Sequence, residues 1–146
     1  MRHLKRIIAF IAVLAISVAC FGTVNAANGS NAPQASPTLS VYAVWLDPGD
    51  NSGELDISFT VTAAGWADSL GVAYIEIYQA SNDKLVDTVY GTTDNGLVST
   101  GFSYTHTYTY PDATPGVQYY AIVAVFAQIG TTFHSRTLRT RTVTAP

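Results

Sequence analysis

A strict alternation of apolar and polar residues at 55–63 constrains the fold of this chain more than any other feature. The run reads LDISFTVTA, so that every second residue from Leu55 to Ala63 is apolar and each residue between them is polar. Successive side chains of a β-strand point to opposite faces, and a period of two therefore predicts a strand with one buried face and one polar face.

Similar patterns recur at short spacing, with further strands predicted at 38–46, 72–79, 84–90, 102–110, 117–128 and 131–144. Asn82-Asp83 supplies turn residues that tolerate a positive φ, which predicts a hairpin between the strands on either side. The segment 117–128 is apolar on both faces, as in a central strand that is covered on both sides. We therefore predict an all-β fold, a two-sheet antiparallel sandwich of about seven strands.

One segment indicates a particular kind of sandwich. Pro115-Gly116-Val117-Gln118-Tyr119, followed by alternating apolar residues, resembles the entry into strand F of fibronectin type III domains, a type of immunoglobulin-like sandwich. The resemblance implies that the Tyr119 hydroxyl bonds back to the turn at Pro115 and Gly116 as a tyrosine corner. The layout also resembles that of small secreted proteins of Gram-positive bacteria.

The N-terminus has the pattern of a secretory signal peptide. Basic residues at positions 2, 5 and 6 precede an apolar run at 7–21, and Val24-Asn25-Ala26 forms a small-x-small cleavage motif. The run is shorter than the roughly 18 to 20 residues that span a bilayer. We predict a signal peptide at 1–26, a flexible tail at 27–37 and one domain at 38–146, with no membrane span in the mature chain. The expected location is extracellular, and a lipid anchor at Cys20 is the alternative.

Cleavage after Ala26 would leave four basic side chains, Lys84, Arg136, Arg139 and Arg141, against ten acidic ones. This acidic balance argues against nucleic acid as a partner, because nucleic-acid binders present clustered basic side chains to the phosphates. Cys20 is the only cysteine, so the mature domain would have neither a disulfide nor a thiol. We interpret the arginines of the last strand as charges that block edge-to-edge association, with anion binding as the alternative.

The residues that could support catalysis are few. The predicted mature chain has two histidines, His106 and His134, and neither lies in a recognised nucleophile or zinc motif. The sequence therefore predicts that the protein is not an enzyme.

An acidic loop is the candidate metal site. Asp47, Asp50, Glu54 and Asp56 offer the hard oxygen ligands that calcium prefers, but their spacing differs from that of an EF-hand. We favour a solvated turn that binds no metal, and we predict no cofactor.

Aromatic residues are the candidate contact residues. The chain has nine Tyr, six Phe and two Trp, most of which a sandwich of this size needs for its core. Trp66, in a predicted connection at 65–68, is the aromatic residue expected to be exposed for ligand binding. The predicted function is a secreted, monomeric, non-catalytic module that binds an extracellular protein or glycan. The alternative is a structural or assembly protein of the extracellular matrix or cell surface.

Overall fold

A computed structural model describes residues 36–146. These residues form the strands β1 (Leu39–Pro48), β2 (Leu55–Gln79), β3 (Lys84–Tyr90), β4 (Val98–Tyr110), β5 (Gln118–Ile129), β6 (Thr132–Arg139) and β7 (Val143–Thr144). All of the pairings are antiparallel and join the strands into one curled sheet, which confirms the all-β prediction for this part of the chain. No helix within it is long and apolar enough to span a bilayer. The predicted signal peptide, Cys20 and most of the predicted tail lie outside the described residues.

The strand β2 organises the sheet because it is 25 residues long and has different neighbours along its length. Residues 55–63 lie between β1 and β4, whereas residues 69–79 pair with β5 and, near their end, with β3. We call β1, residues 55–63 and β4 the first part of the sheet. The second part consists of β3, residues 69–79, β5, β6 and β7, because β5 also pairs with β6 and β7.

The sequence prediction of two strands separated by a connection is wrong at this point. Residues 64–71 remain in the strand, since Ala67 pairs with Gly101 of β4 and Ser69 pairs with Gln128 of β5. The register against β4 shifts on both sides of Ala67, which interrupts the period of two without ending the strand. Such bulges increase the local twist and bend of a strand.

Gly71 lies at the point where β2 pairs with β4 and β5 together. Its φ of 139° is one that residues with a side chain rarely adopt. A Cβ at this position would lie 2.1 Å from the carbonyl oxygen of Leu97, which accepts a hydrogen bond from Val72 N at 2.8 Å. The absence of a side chain therefore lets the segment before β4 pack directly against the bend.

The other strands agree with the sequence to different degrees. β3 has the predicted bounds and forms the predicted hairpin with β2, in which Asp83 has a φ of 52°. The single last strand predicted at 131–144 is divided into β6 and β7. Thr140 lies between the two strands, where it is 6% exposed and its hydroxyl accepts a hydrogen bond from Ala121 N at 2.9 Å. The chain leaves the register of β6 at this residue before β7 pairs with β5.

One apolar cluster fills the concave side of the sheet and includes side chains from both parts. The alternation at 55–63 is confirmed, because Leu55, Ile57, Phe59 and Val61 are each 0% exposed. The largest side chains that are fully buried are Phe59, Leu39, Leu46, Leu55, Ile57, Leu70, Ile75, Ile77, Leu97, Val61, Val72 and Val123. The two parts therefore share a single core.

We expect Gly71→Ala to lower the free energy of unfolding by about 3 kcal/mol or more, since it adds both backbone strain and a clash with Leu97. Gly101→Ala is the matched control. Its φ is 122°, but a Cβ there meets no atom within 4 Å, so only the strain remains. Urea denaturation of both variants measures the difference. Equal losses would contradict a close approach of Leu97 to the bend.

Candidate functional site

The turn before β5 is shaped by Pro115 and Gly116. Val117 N donates a hydrogen bond to Thr114 O at 3.2 Å, and Gly116 has a φ of 80°. A type II turn favours proline at its second position and requires a positive φ at its third. Gly116 N also donates to Ala145 O at 2.9 Å, which fixes the turn to the C-terminal segment.

Tyr119 connects this turn to the core. Its side chain is 3% exposed, and its hydroxyl accepts a hydrogen bond from Thr114 N at 3.0 Å. This is the type of contact that the resemblance to fibronectin type III domains implies. Tyr119 therefore fixes the start of β5 to the turn that Pro115 and Gly116 form.

The predicted acidic loop is only in part a connection, because Asp47 lies in β1 and Asp56 lies opposite it in β2. The connection itself, at 49–54, is held by the backbone at several points. Gly49 N donates to Glu54 O at 2.9 Å, and Gly53 N donates to Pro146 O at 2.9 Å. Gly53 O accepts a hydrogen bond from Ala113 N at 2.9 Å. The loop is thus joined both to the C-terminus and to the turn before β5.

Three of the four carboxylates predicted as candidate ligands have separate protein partners. Asp47 forms an ion pair with Arg141, and Glu54 Oε2 accepts hydrogen bonds from Asn51 N at 3.1 Å and Asn51 Nδ2 at 2.9 Å. Asp56 Oδ1 accepts a hydrogen bond from Thr109 Oγ1 at 2.6 Å. Asp50 is exposed. Within residues 36–146 no group of three or more acidic, His or Cys side chains is placed to hold a metal ion.

Trp66 is 61% exposed, but it lies in β2 and not in a connection, which corrects the sequence prediction. Its ring meets that of Phe102 edge to face, with 5.2 Å between the centroids and an interplanar angle of 88°. Phe102 is itself 58% exposed. Trp66 at the bend of β2 and Phe102 of β4 therefore present a pair of aromatic rings to solvent.

Both histidines make contacts that support the fold. His106 stacks on Tyr104, with 5.9 Å between the ring centroids, and lies edge-on to Phe59 at 6.2 Å. His134 Nδ1 lies 3.1 Å from Thr38 Oγ1. That hydroxyl also donates to Ala127 O at 3.0 Å, so it connects the ring of His134 to the backbone of β5.

The three arginines do not form one patch. Arg136 donates to Ser135 O at 2.9 Å within β6, and the guanidinium of Arg139 lies 3.9 Å from the centre of the Tyr120 ring. Arg141 follows the end of β6, where its Nε donates to Leu46 O at 3.1 Å in addition to the ion pair with Asp47. The prediction that these residues share one strand is therefore wrong for Arg141.

The convex face of the second part of the sheet carries a group of aromatic residues that sequence reasoning missed. The strand register places Tyr74 between Tyr90 and Ala124, and Tyr78 opposite Tyr120. We call this surface the outer aromatic face, and its aromatic members are Tyr74, Tyr78, Tyr90, Tyr120, Phe126 and Phe133. The alternate residues of β5 point to the core, with Ala121, Val123 and Val125 each 0% exposed.

Stacking organises the two ends of this face. Tyr78 and Tyr120 are stacked with 5.2 Å between the centroids and 5° between the planes, and Phe126 and Phe133 are stacked at 5.5 Å and 24°. Tyr120 and Phe126 are 5% and 7% exposed although they face outward. The prediction that β5 is covered on both faces is thus confirmed, and neighbouring side chains of the same sheet provide the outer cover.

Two carboxylates orient the tyrosine hydroxyls of the outer aromatic face. Tyr120 donates to Asp83 Oδ1 at 2.9 Å, and Tyr78 donates to Glu76 Oε2 at 3.1 Å. Burial and the bond to Asp83 raise the pKa of Tyr120, and the bond to Glu76 raises the pKa of Tyr78. Tyr90 and Phe133 are 70% and 53% exposed and leave most of their surface accessible to a ligand.

Comparisons of the chain with protein-family models, with curated proteins and with solved structures find no significant match. The resemblance to fibronectin type III domains therefore depends on the residues around Tyr119 and on the strand pairing alone.

We expect Tyr119→Phe to lower the free energy of unfolding by about 1 to 3 kcal/mol, because it removes the acceptor for Thr114 N and keeps the ring. Tyr90→Phe, which removes a hydroxyl from an exposed ring, is the matched control. Urea denaturation compares the two variants. A stability equal to that of the control would mean that the hydroxyl of Tyr119 does not support the turn.

We expect millimolar calcium to leave the Tm unchanged relative to a chelator, because Asp47, Glu54 and Asp56 are directed to separate partners. A ligand that binds the folded state at a hundred times its Kd adds about 2.7 kcal/mol of stability, which a thermal melt detects. A rise of several degrees that Asp50→Ala and Glu54→Ala abolish would contradict this expectation and make the loop a calcium site.

Proposed function

We propose that the protein is a secreted, non-catalytic binding module whose ligand contacts the outer aromatic face. The observation that carries the proposal is the placement of six aromatic side chains on one outward face of the second part of the sheet. Apolar residues that are not needed for a core are common where a surface contacts a ligand or another protein. The segment 1–26 acts as the signal peptide in this proposal.

The chemistry of the face favours an extracellular glycan or protein as the ligand. Tyrosine combines an apolar ring with a polar hydroxyl. It therefore suits contacts in which the ring packs against an apolar group while the hydroxyl bonds to water or to a polar group. Glu76 and Arg139 add one acceptor and one donor group to the same face. A neutral ligand that carries many hydroxyl or amide groups fits this composition.

We also propose that the curled sheet is a β-sandwich of the fibronectin type III or immunoglobulin-like type. Two features support the proposal. β2 supplies two successive strands, so that the first part of the sheet contains the equivalents of strands A, B and E, and the second part those of C, F and G. Tyr119 occupies the corner at the start of the strand that corresponds to F.

A structural or assembly role at the cell surface or in the extracellular matrix is the second candidate function. The observation in its favour is the edge strand β4, whose 13 residues include no acidic residue, lysine or arginine. Strands of this kind pair with other chains.

The experiment is a binding measurement with purified protein against cell-wall glycans and culture-supernatant proteins. The variant Tyr90→Ala/Phe133→Ala removes the two most exposed rings of the face. We expect it to weaken binding by about tenfold or more, because truncation of an aromatic contact residue commonly costs 1 to 2 kcal/mol or more.

Trp45→Ala is the matched control, because Trp45 is 41% exposed on the first part of the sheet. Trp66→Ala in the same assay tests the residue that the sequence favoured. A ligand whose affinity is equal for the wild-type protein and the double variant would show that the outer aromatic face is not the binding surface.

A further inference from the structure

β4 forms an open edge of the sheet. It pairs with β2 on one side, and no strand within residues 36–146 pairs with its other side. Its 13 residues contain neither proline nor any Asp, Glu, Lys or Arg. The backbone N–H and C=O groups of such an edge are available to pair with a further strand.

The other edge strands carry residues that oppose such pairing. β3 contains Lys84 and Asp87, and β6 contains Arg136 and Arg139. β1 ends with Asp47-Pro48. Charged side chains and proline on an edge strand prevent association between edges. β7 also lies at an edge and has neither a charge nor a proline, but it is only two residues long. β4 is therefore the one long edge strand of the described residues without this protection.

The outward hydroxyls of β4 already form a ladder with β2. Ser58 and Thr107 lie 2.8 Å apart, Thr60 and Thr105 lie 2.9 Å apart, and Thr62 and Ser103 lie 3.0 Å apart, measured between hydroxyl oxygens. A hydroxyl has one donor and two acceptor positions. Each hydroxyl of β4 therefore keeps the capacity to bond a second partner on its open side.

The sequence of β4 is nearly symmetric about His106. Residues 103–109 read SYTHTYT, so that Thr105 mirrors Thr107 and Tyr104 mirrors Tyr108. Two β4 strands can pair antiparallel about a two-fold axis that places His106 of one copy opposite His106 of the other. Each residue of 103–109 would then lie opposite a residue of the same chemical type. A two-fold interface is built from one surface patch that complements itself, and this strand meets that requirement.

We propose that β4 pairs with β4 of a second copy, which joins the sheets of two copies edge to edge. Thr105 of one copy lies opposite Thr107 of the other on the outward face, and Tyr104 lies opposite Tyr108 on the inward face. Cross-strand pairs of threonines and of aromatic residues stabilise antiparallel sheets. The ladder between β2 and β4 then continues through the second copy. The proposed dimer differs from the monomer expected in the sequence analysis. The reason is that the sequence alone does not reveal that β4 lies at an edge of the sheet.

The dimer is independent of the proposed ligand site, because β4 belongs to the first part of the sheet and the outer aromatic face belongs to the second. Analytical ultracentrifugation of the purified protein at increasing concentration tests it. We expect the mass to rise from that of one copy to that of two copies and to rise no further.

Thr105→Lys/Thr107→Lys places like charges opposite each other across the proposed interface. We expect this variant to raise the Kd of the dimer by about tenfold or more. Mixing it with Thr105→Glu/Thr107→Glu should restore a dimer of one copy of each. Ser135→Lys/Thr137→Lys adds the same two charges to exposed positions of β6 and is the matched control.

Hydrogen exchange of the unmodified protein provides a second measurement that requires no variant. The backbone amides of 102–110 should gain protection as the concentration rises. A single-copy mass at every concentration would overturn the proposal, as would assemblies that keep growing beyond two copies. Equal weakening by the β4 and β6 lysine variants, or amide protection in 102–110 that does not depend on concentration, would also overturn it.

Discussion

The fold depends on the backbone pairing of β2, which has a neighbouring strand on both of its edges at 55–62 and again at 74–79. Its first residues lie between β1 and β4, and its last lie between β3 and β5, so a single strand belongs to both parts of the sheet. The bulges around Ala67 and the missing side chain at Gly71 let the strand bend without losing its partners. One buried cluster of apolar residues can then fill the concave side of both parts.

The same pairing determines which surfaces the protein exposes. Because β5 lies between β2 and β6, its outward side chains meet the aromatic residues of both neighbours. Tyr120 is packed between Tyr78 and Arg139, and its hydroxyl is bonded to Asp83. It therefore stabilises the outer aromatic face but is not the ring that a ligand reaches most easily. Tyr90 and Phe133, farther from the centre, are more exposed.

The two parts of the sheet differ in the chemistry of their outward faces. The second part presents aromatic rings, whereas β2 and β4 in the first part present a ladder of hydroxyl groups that bond each other. Rings suit contact with a ligand of mixed polarity, and a charge-free edge beside a hydroxyl ladder suits pairing with another strand. The proposed ligand surface and the proposed dimer edge therefore lie on different parts of the sheet.

The sequence by itself determined the all-β class, the position of most strands and the turn before β5. The alternation at 55–63 marked the buried face, and Pro115, Gly116 and Tyr119 marked the turn, because both features depend on residues close in the chain. Tertiary structure alone decided that β2 is continuous through Trp66, that β4 lies at an edge, and that aromatic residues of four strands share one face. These properties depend on which distant strands pair and in what register. A pattern of period two reports only the two faces of a strand and not its neighbours.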